Sequence, residues 1–265
     1  MRKIVLLGVV STLLLIANEG EEIFKLKCAS CHSGYISIEK LTKNFMESEN
    51  KLLNLKAPTL NQLSFRLKQQ IGDPKGDEDM HRMEVGAFIA DYLINPDKQK
   101  SVCMKDVIKH FDTMPSMKGQ IDEEEMEAVS EYIYDYDKNL IEAKKVKNEK
   151  FSVALERAKK ENKIIMIKAT SEHCHYCKKM DREVLIDDTV VEAINKDFIS
   201  VVVDVSKEQM PLGIDASMTP SFFFVDKSAQ VIKTIPGSWN KMDFLVILQE
   251  AQEANKNQLK RKDGE

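Results

Sequence analysis

The chain has 265 residues, a formal net charge of −4, and 31% charged against 43% hydrophobic residues. That length suits two units, each burying its own core. The mild acidity gives no electrostatic footprint for nucleic acid, so that partner class is set aside. The amino terminus, "MRKIVLLGVVSTLLLIANEG", places Arg2 and Lys3 ahead of an uncharged, mostly apolar run from Ile4 to Ala17, as secretory signals do. The run is shorter than the ~20 residues that span a bilayer core. A cut after Ala17 would nevertheless put Leu15 where a small residue is usual. Residues 1–17 are therefore read as a signal peptide or an uncleaved amino-terminal anchor. Their removal takes away two cations and no acid, moving the net charge from −4 to −6. Export implies an oxidising compartment. With the redox motifs below, that compartment is read as the periplasm, and an uncleaved segment would tether the chain to the inner membrane.

Residues 18–137 read as a helical domain. Apolar positions recur at helical spacing in "KLTKNFMESENKLLNL", "LNQLSFRLKQQI", "RMEVGAFIADYLI" and "EEEMEAVSEYIYDY", with "GDPKGDED" and "NPDKQ" as loops between them. Residues 138–150 follow as a charged, lysine-rich helical linker whose charges face solvent. The period then changes. "KIIMIKA" (163–169), "FISVVVDV" (198–205), "SFFFVD" (221–226) and "QVIKTI" (230–235) are short, apolar and β-branched or aromatic, as buried strands are. Helical segments are expected from about Cys177 to Lys196, around Glu208, and from about Lys241 to Ala254; "DKSAQ" joins the last two strands as a hairpin. Residues 151–256 thus form an α/β domain, and 257–265 a polar tail. The predicted fold class is two domains, all-α followed by α/β.

Five cysteines need explaining: Cys28, Cys31, Cys103, Cys174 and Cys177. In "CASCH", Cys28, Cys31 and His32 fall on one face of a helical turn, so two thiols and an imidazole meet the same ligand. A haem held through both thiols would have His32 beneath its iron. Zinc is disfavoured because Cys103, His81 and His110 lack close partners at zinc spacing. His81 and His110 are read as surface or satisfied histidines.

The order of features around "CASCH" resembles class I cytochromes c over residues 18–137. "GEEIFKLKCASCH" is similar to that family's first helix, with Gly20 and Phe24 on one face. "KAPTL" places Pro58 where a proline carbonyl orients the proximal imidazole, "FDTMPSMKG" resembles the loop of the axial methionine, and "IDEEEMEAVSEYIYDY" the closing helix. The resemblance implies covalently bound haem c, with thioethers at Cys28 and Cys31 and iron ligated by His32 and Met114. Met117 and then Met104 compete with Met114, which precedes Pro115 and so sits in extended backbone. A His/Met pair fills both axial positions and suits electron transfer.

"KIIMIKATSEHCHYCKKM" carries a strand through a polar loop into a helix. It places Cys174 exposed at a helix amino terminus, where a thiolate is stabilised, and Cys177 one turn inside, where it can resolve a mixed disulfide. Metal binding by "HCHYC" is the competing reading, but adjacent donors cannot all reach one ion without distorting the helix start. The region resembles the thioredoxin superfamily, with "FSVALERAKKENK" ahead of the first strand and Thr219-Pro220 at the cis-proline site, which implies roles for Cys174, Cys177 and Pro220. Two residues depart from the family. Lys168 stands where a buried acid is usual, six positions before Cys174, and His173 stands in place of Trp. His175, if charged, would favour the reduced thiolate. Cys103 is read as a buried small residue, with a regulatory or intermolecular thiol as the alternative.

The function expected from these readings is an exported redox protein. It combines one-electron transfer through haem with thiol:disulfide exchange at "CHYC", its partners being redox proteins and protein thiols or disulfides. The alternatives are a non-enzymatic electron carrier whose second domain docks partners, and a thiol reductase of cytochrome maturation. A dithiol yields two electrons and one haem takes one, so direct transfer would need a radical stage or two haem partners in succession, and the fusion motivates co-located function without demonstrating internal electron flow.

Overall fold

A computed structural model describes residues 19–263, and the expected signal or anchor at 1–17 lies outside the described residues. The chain divides into two compact units between Leu140 and Ile141.

The first unit is helical. Residues 19–27 form α1, followed by α2 (Ile38–Thr42), α3 (Leu60–Gln70), α4 (Glu78–Ile94), the single turn α5 (Lys105–Ile108) and α6 (Glu123–Lys144). Two caps define α3 and α4. The Thr59 N–H donates to Gln62 Oε1 at 3.0 Å, and Asp77 accepts from the N–H groups of Asp79 and Met80. Four-residue spacing brings His81, Val85, Ile89 and Leu93 onto the buried face of α4. There Val85, Ile89 and Leu93 join Ile23, Phe24, Leu60, Leu67, Val129 and Ile133 in one core. His81 is buried and satisfied. Its Nε2–H donates to the Ile71 carbonyl (3.0 Å), which leaves Nδ1 to accept from the Tyr134 hydroxyl (2.9 Å). A smaller cluster gathers Leu41, Phe45, Leu55, Val107 and Phe111.

The second unit has a four-stranded sheet in the order β2-β1-β3-β4, from β1 (Ile164–Thr170), β2 (Phe198–Asp204), β3 (Ser221–Val225) and β4 (Val231–Pro236). β1 runs parallel to β2 and antiparallel to β3, which pairs antiparallel with β4. Alternation along β1 separates two cores. Ile165, Ile167 and Ala169 meet Ala154 and Ala158 of α7 (Phe151–Glu161). Ile164 and Met166 meet the opposite layer: α8 (His175–Glu183), α9 (Asp188–Asp197) and α10 (Lys241–Asp263).

Three expectations change. The charged linker is not one helix. α6 runs unbroken to Lys144, past the boundary expected at 137, and then Glu149 N–H donates to Ser200 O (2.9 Å) so that the chain adds a bridge to the open edge of β2. An exposed backbone edge is satisfied by whatever extended chain passes it. The helix expected from Cys177 to Lys196 is two, because Asp187 caps Thr189 N (3.0 Å) and starts α9 afresh. Around Glu208 there is no helix, only a 3-10 turn at Pro211–Gly213; Pro211 lacks the N–H a longer helix needs there.

Candidate dithiol site and a second cysteine cluster

β1 delivers its chain to the loop Ser171–His173, and Cys174 caps α8, its Sγ accepting the Cys177 N–H at 3.0 Å. Cys174 and Cys177 form a disulfide, with Cα atoms 5.2 Å apart. Cys174, expected to be exposed, is 8% exposed and Cys177 is 2% exposed. The sulfur of Cys174 turns inward to its bond partner and to the cap, leaving Glu172 and His173 of the loop and His175 and Tyr176 of the first turn of α8 exposed. The peptide bond Thr219-Pro220 is cis and Pro220 is buried. A hydrogen bond between the hydroxyls of Ser171 and Thr219 (3.0 Å) ties that loop to the dithiol loop. Met218, 52% exposed, and Tyr176, 59% exposed, supply apolar surface on the two loops. This arrangement can exchange a disulfide. The amino-terminal end of α8 stabilises negative charge on the first sulfur, and the second is held one turn inside. As for "HCHYC" as a metal site, each sulfur is bonded to the other, and among the described residues no group of three or more His, Cys, Asp or Glu side chains converges.

Beneath α8, Lys168 is 3% exposed and its ammonium pairs with the Asp181 carboxylate. The acid missing from β1 is thus supplied by the helix. Asp181 escaped the sequence reading, although its place four residues after Cys177 puts the two on one helix face.

In the first unit, the chain turns after α1 with Cys31 N–H and His32 N–H both donating to Cys28 O (3.1 and 2.9 Å). The His32 Nδ1–H donates to the Pro58 carbonyl at 2.8 Å, which fixes the ring and leaves Nε2 with a free lone pair. Burial pushes the His32 pKa below its ordinary value, against the opposing pull of that hydrogen bond, and so favours the neutral ring. Cys28, Met114 and Met117 all pack against the main core of the unit. Met104 is 53% exposed, which separates it from them. Two thiols on a turn, an oriented neutral imidazole and a core-facing thioether suit a haem as a donor set.

Cys103 is half-buried, and burial raises its thiol pKa. His110 lies 5.8 Å from the Phe45 ring, and its buried Nε2 has no hydrogen-bond partner. Among the described residues, no helix is long and apolar enough to cross a membrane.

Residues 151–252 match the thioredoxin-like domain family. An uncharacterized protein of Aquifex aeolicus (strain VF5) is 31% identical over 118 residues, which is 44% of this chain and 72% of that protein. Among solved structures, DsbH oxidoreductase is 18% identical, with 41% of this chain and 85% of that one covered at a TM-score of 0.35. A thioredoxin from Thermus thermophilus is 28% identical, with 38% and 82% covered at a TM-score of 0.32.

Proposed function

We propose, from the match of residues 151–252 to the thioredoxin-like domain family, that the chain is an exported redox protein with two chemistries. Cys174 and Cys177 exchange disulfides with protein partners, and residues 18–137 hold a c-type haem for electron transfer. The site of action is the periplasm, free or tethered to the inner membrane. In the reducing direction the Cys174 thiolate attacks a substrate disulfide, forming one S–S bond and releasing one substrate thiolate. Cys177 then attacks Cys174 Sγ, closing the protein disulfide and releasing the second thiolate. Two electrons pass from the dithiol to the substrate. An oxidised chain facing a substrate dithiol runs the same steps backwards. Met218 and Tyr176 offer apolar contact for a partner segment beside the loop.

The haem reading is carried by the hydrogen bond from His32 Nδ1 to the Pro58 carbonyl, 2.8 Å. It orients a neutral imidazole, directly after two thiols, with Nε2 open for a metal. When bound, haem would supply a one-electron carrier. The chain's own contribution would be to hold it, Cys28 and Cys31 through thioethers and His32 and Met114 as the residues that would ligate its iron. The test is to produce the full chain in cells that ligate c-type haem and to measure intact mass and visible absorbance after denaturation. Haem that stays with the chain, and is lost in a Cys28→Ala/Cys31→Ala variant, supports the reading; a chain of unmodified mass refutes it. Met114→Ala should remove the methionine-to-iron band, and its persistence would move that role to Met117.

A further inference from the structure

Closing the protein disulfide requires Cys177 to attack as a thiolate, so its proton must go somewhere. In the disulfide, Cys177 is 2% exposed, so its sulfur has little direct access to bulk water. A protein group beside it can take the proton instead.

Lys168 lies on the face of β1 that also carries Met166, under α8 and α9. A buried ammonium is stable only when paired, and its partner is the Asp181 carboxylate. Asp181 follows Cys177 by four residues on α8, so their Cβ atoms are about 5–6 Å apart on one helix face. The Asp181 side chain is 38% exposed while that of Lys168 is 4% exposed, so the carboxylate has one end in the protein and one reaching water. A cavity of about 210 Å³ borders Lys168, Asp181 and Thr170, its far wall including Asn148 and Ser200. That is room for several waters among polar partners.

We propose that Asp181, held in place by Lys168, takes the proton of Cys177 during thiol exchange and passes it to water in this cavity. The inference rests on the exchange reading given above. In the reducing direction the S–H bond of Cys177 breaks as an O–H bond forms on Asp181. The sulfur's electron pair then makes the bond to Cys174 Sγ, and the substrate sulfur leaves with the pair from the mixed disulfide. Asp181 returns the proton to cavity water, which restores the ion pair with Lys168. In the oxidising direction the proton travels inward by the same route. The other titratable groups on the cavity wall are Glu142 and Lys145, an ion pair at 2.5 Å from the segment that ends α6. β2 and α9 contribute Ser200, Val202 and Ile194, none of which titrates. His173 of the loop and His175 at the start of α8 are exposed.

The test uses the full chain, reduced, mixed with a fluorogenic peptide disulfide in stopped flow, so that first attack and resolution are read as separate phases from pH 6 to 8. Asp181→Asn should slow resolution about a hundredfold, and make it climb about tenfold per pH unit, while first attack by Cys174 is unchanged. A double variant, Lys168→Met with Asp181→Leu, removes both charges of the pair, keeps the packing, and should show the same slow, steep resolution. Resolution at the unsubstituted rate with the unsubstituted pH profile, in either variant, overturns the proposal. A chain whose unsubstituted form exchanges no disulfide overturns the exchange reading and this inference with it, whereas fast exchange in Asp181→Asn overturns the proton route alone.

Discussion

Gly20 is buried where α1 crosses α6: a Cβ built on it would sit 2.1 Å from the Ala128 carbonyl oxygen and 2.8 Å from Tyr132 Cβ. Both neighbours are held by the helix that carries them, so neither can turn away as a long side chain would. Gly20→Ala therefore forces the two helices apart by about 1 Å to regain ordinary contact distance. Overpacking against a rigid backbone costs about 3 kcal/mol, and alanine's better helix propensity returns about 1 kcal/mol. The net loss of about 2 kcal/mol lowers the melting temperature of a unit this size by about 8 °C. The single tryptophan, Trp239, packs against the core of the second unit. It separates the two responses, because domains unfold as units. Far-UV circular dichroism should show the helical transition of the first unit moving down, while Trp239 fluorescence melts unchanged. An unshifted helical transition would refute the crossing as the reason for glycine here. A Trp239 transition that moves as far as the helical one would refute the assignment of the effect to the first unit.

Cys174 is the less buried sulfur and sits at the helix cap. Cys177→Ser should thus accumulate a one-to-one mixed disulfide with a peptide disulfide on non-reducing mass spectrometry, and Cys174→Ser should accumulate none; trapping by the latter would reverse the two roles. Burial raises the Cys103 thiol above its ordinary value of 9.0, the bond to Ser101 opposing it, so at pH 8 less of it is thiolate than in an unfolded chain. Its alkylation by iodoacetamide should be slow in the folded protein and speed up as pH rises or in denaturant. Equal rates folded and unfolded at pH 8 would show that burial does not govern this thiol.

The local features were readable because each is written within a few neighbouring residues. "CASCH" and "CHYC" place sulfurs one helical turn apart whatever surrounds them, and the short apolar runs of β1 to β4 announce strands by composition. Pro58 and Pro220 were readable too, by resemblance, and the structure gives each a specific setting: the Pro58 carbonyl on His32 and the cis bond beside the dithiol loop. Local signals were weakest where a segment has two fair options. The lysine-rich stretch after α6 is polar enough for a solvated helix, yet its end pairs with β2, because an open strand edge offers backbone partners no helix pattern reveals.

By itself, then, the order of residues determined that this chain has a helical half with a Cys-x-x-Cys-His turn and an α/β half with a dithiol between strand and helix. What it could not determine is who neutralises whom in the interior. Lys168 read as a lost acid. Only the packing of α8 across β1 brings Asp181, thirteen residues later, onto that ammonium and leaves a cavity beside them. The partner of a buried charge is set by the fold in three dimensions, since desolvation penalises the bare ion wherever it lies and any element that passes close enough can supply its counter-charge.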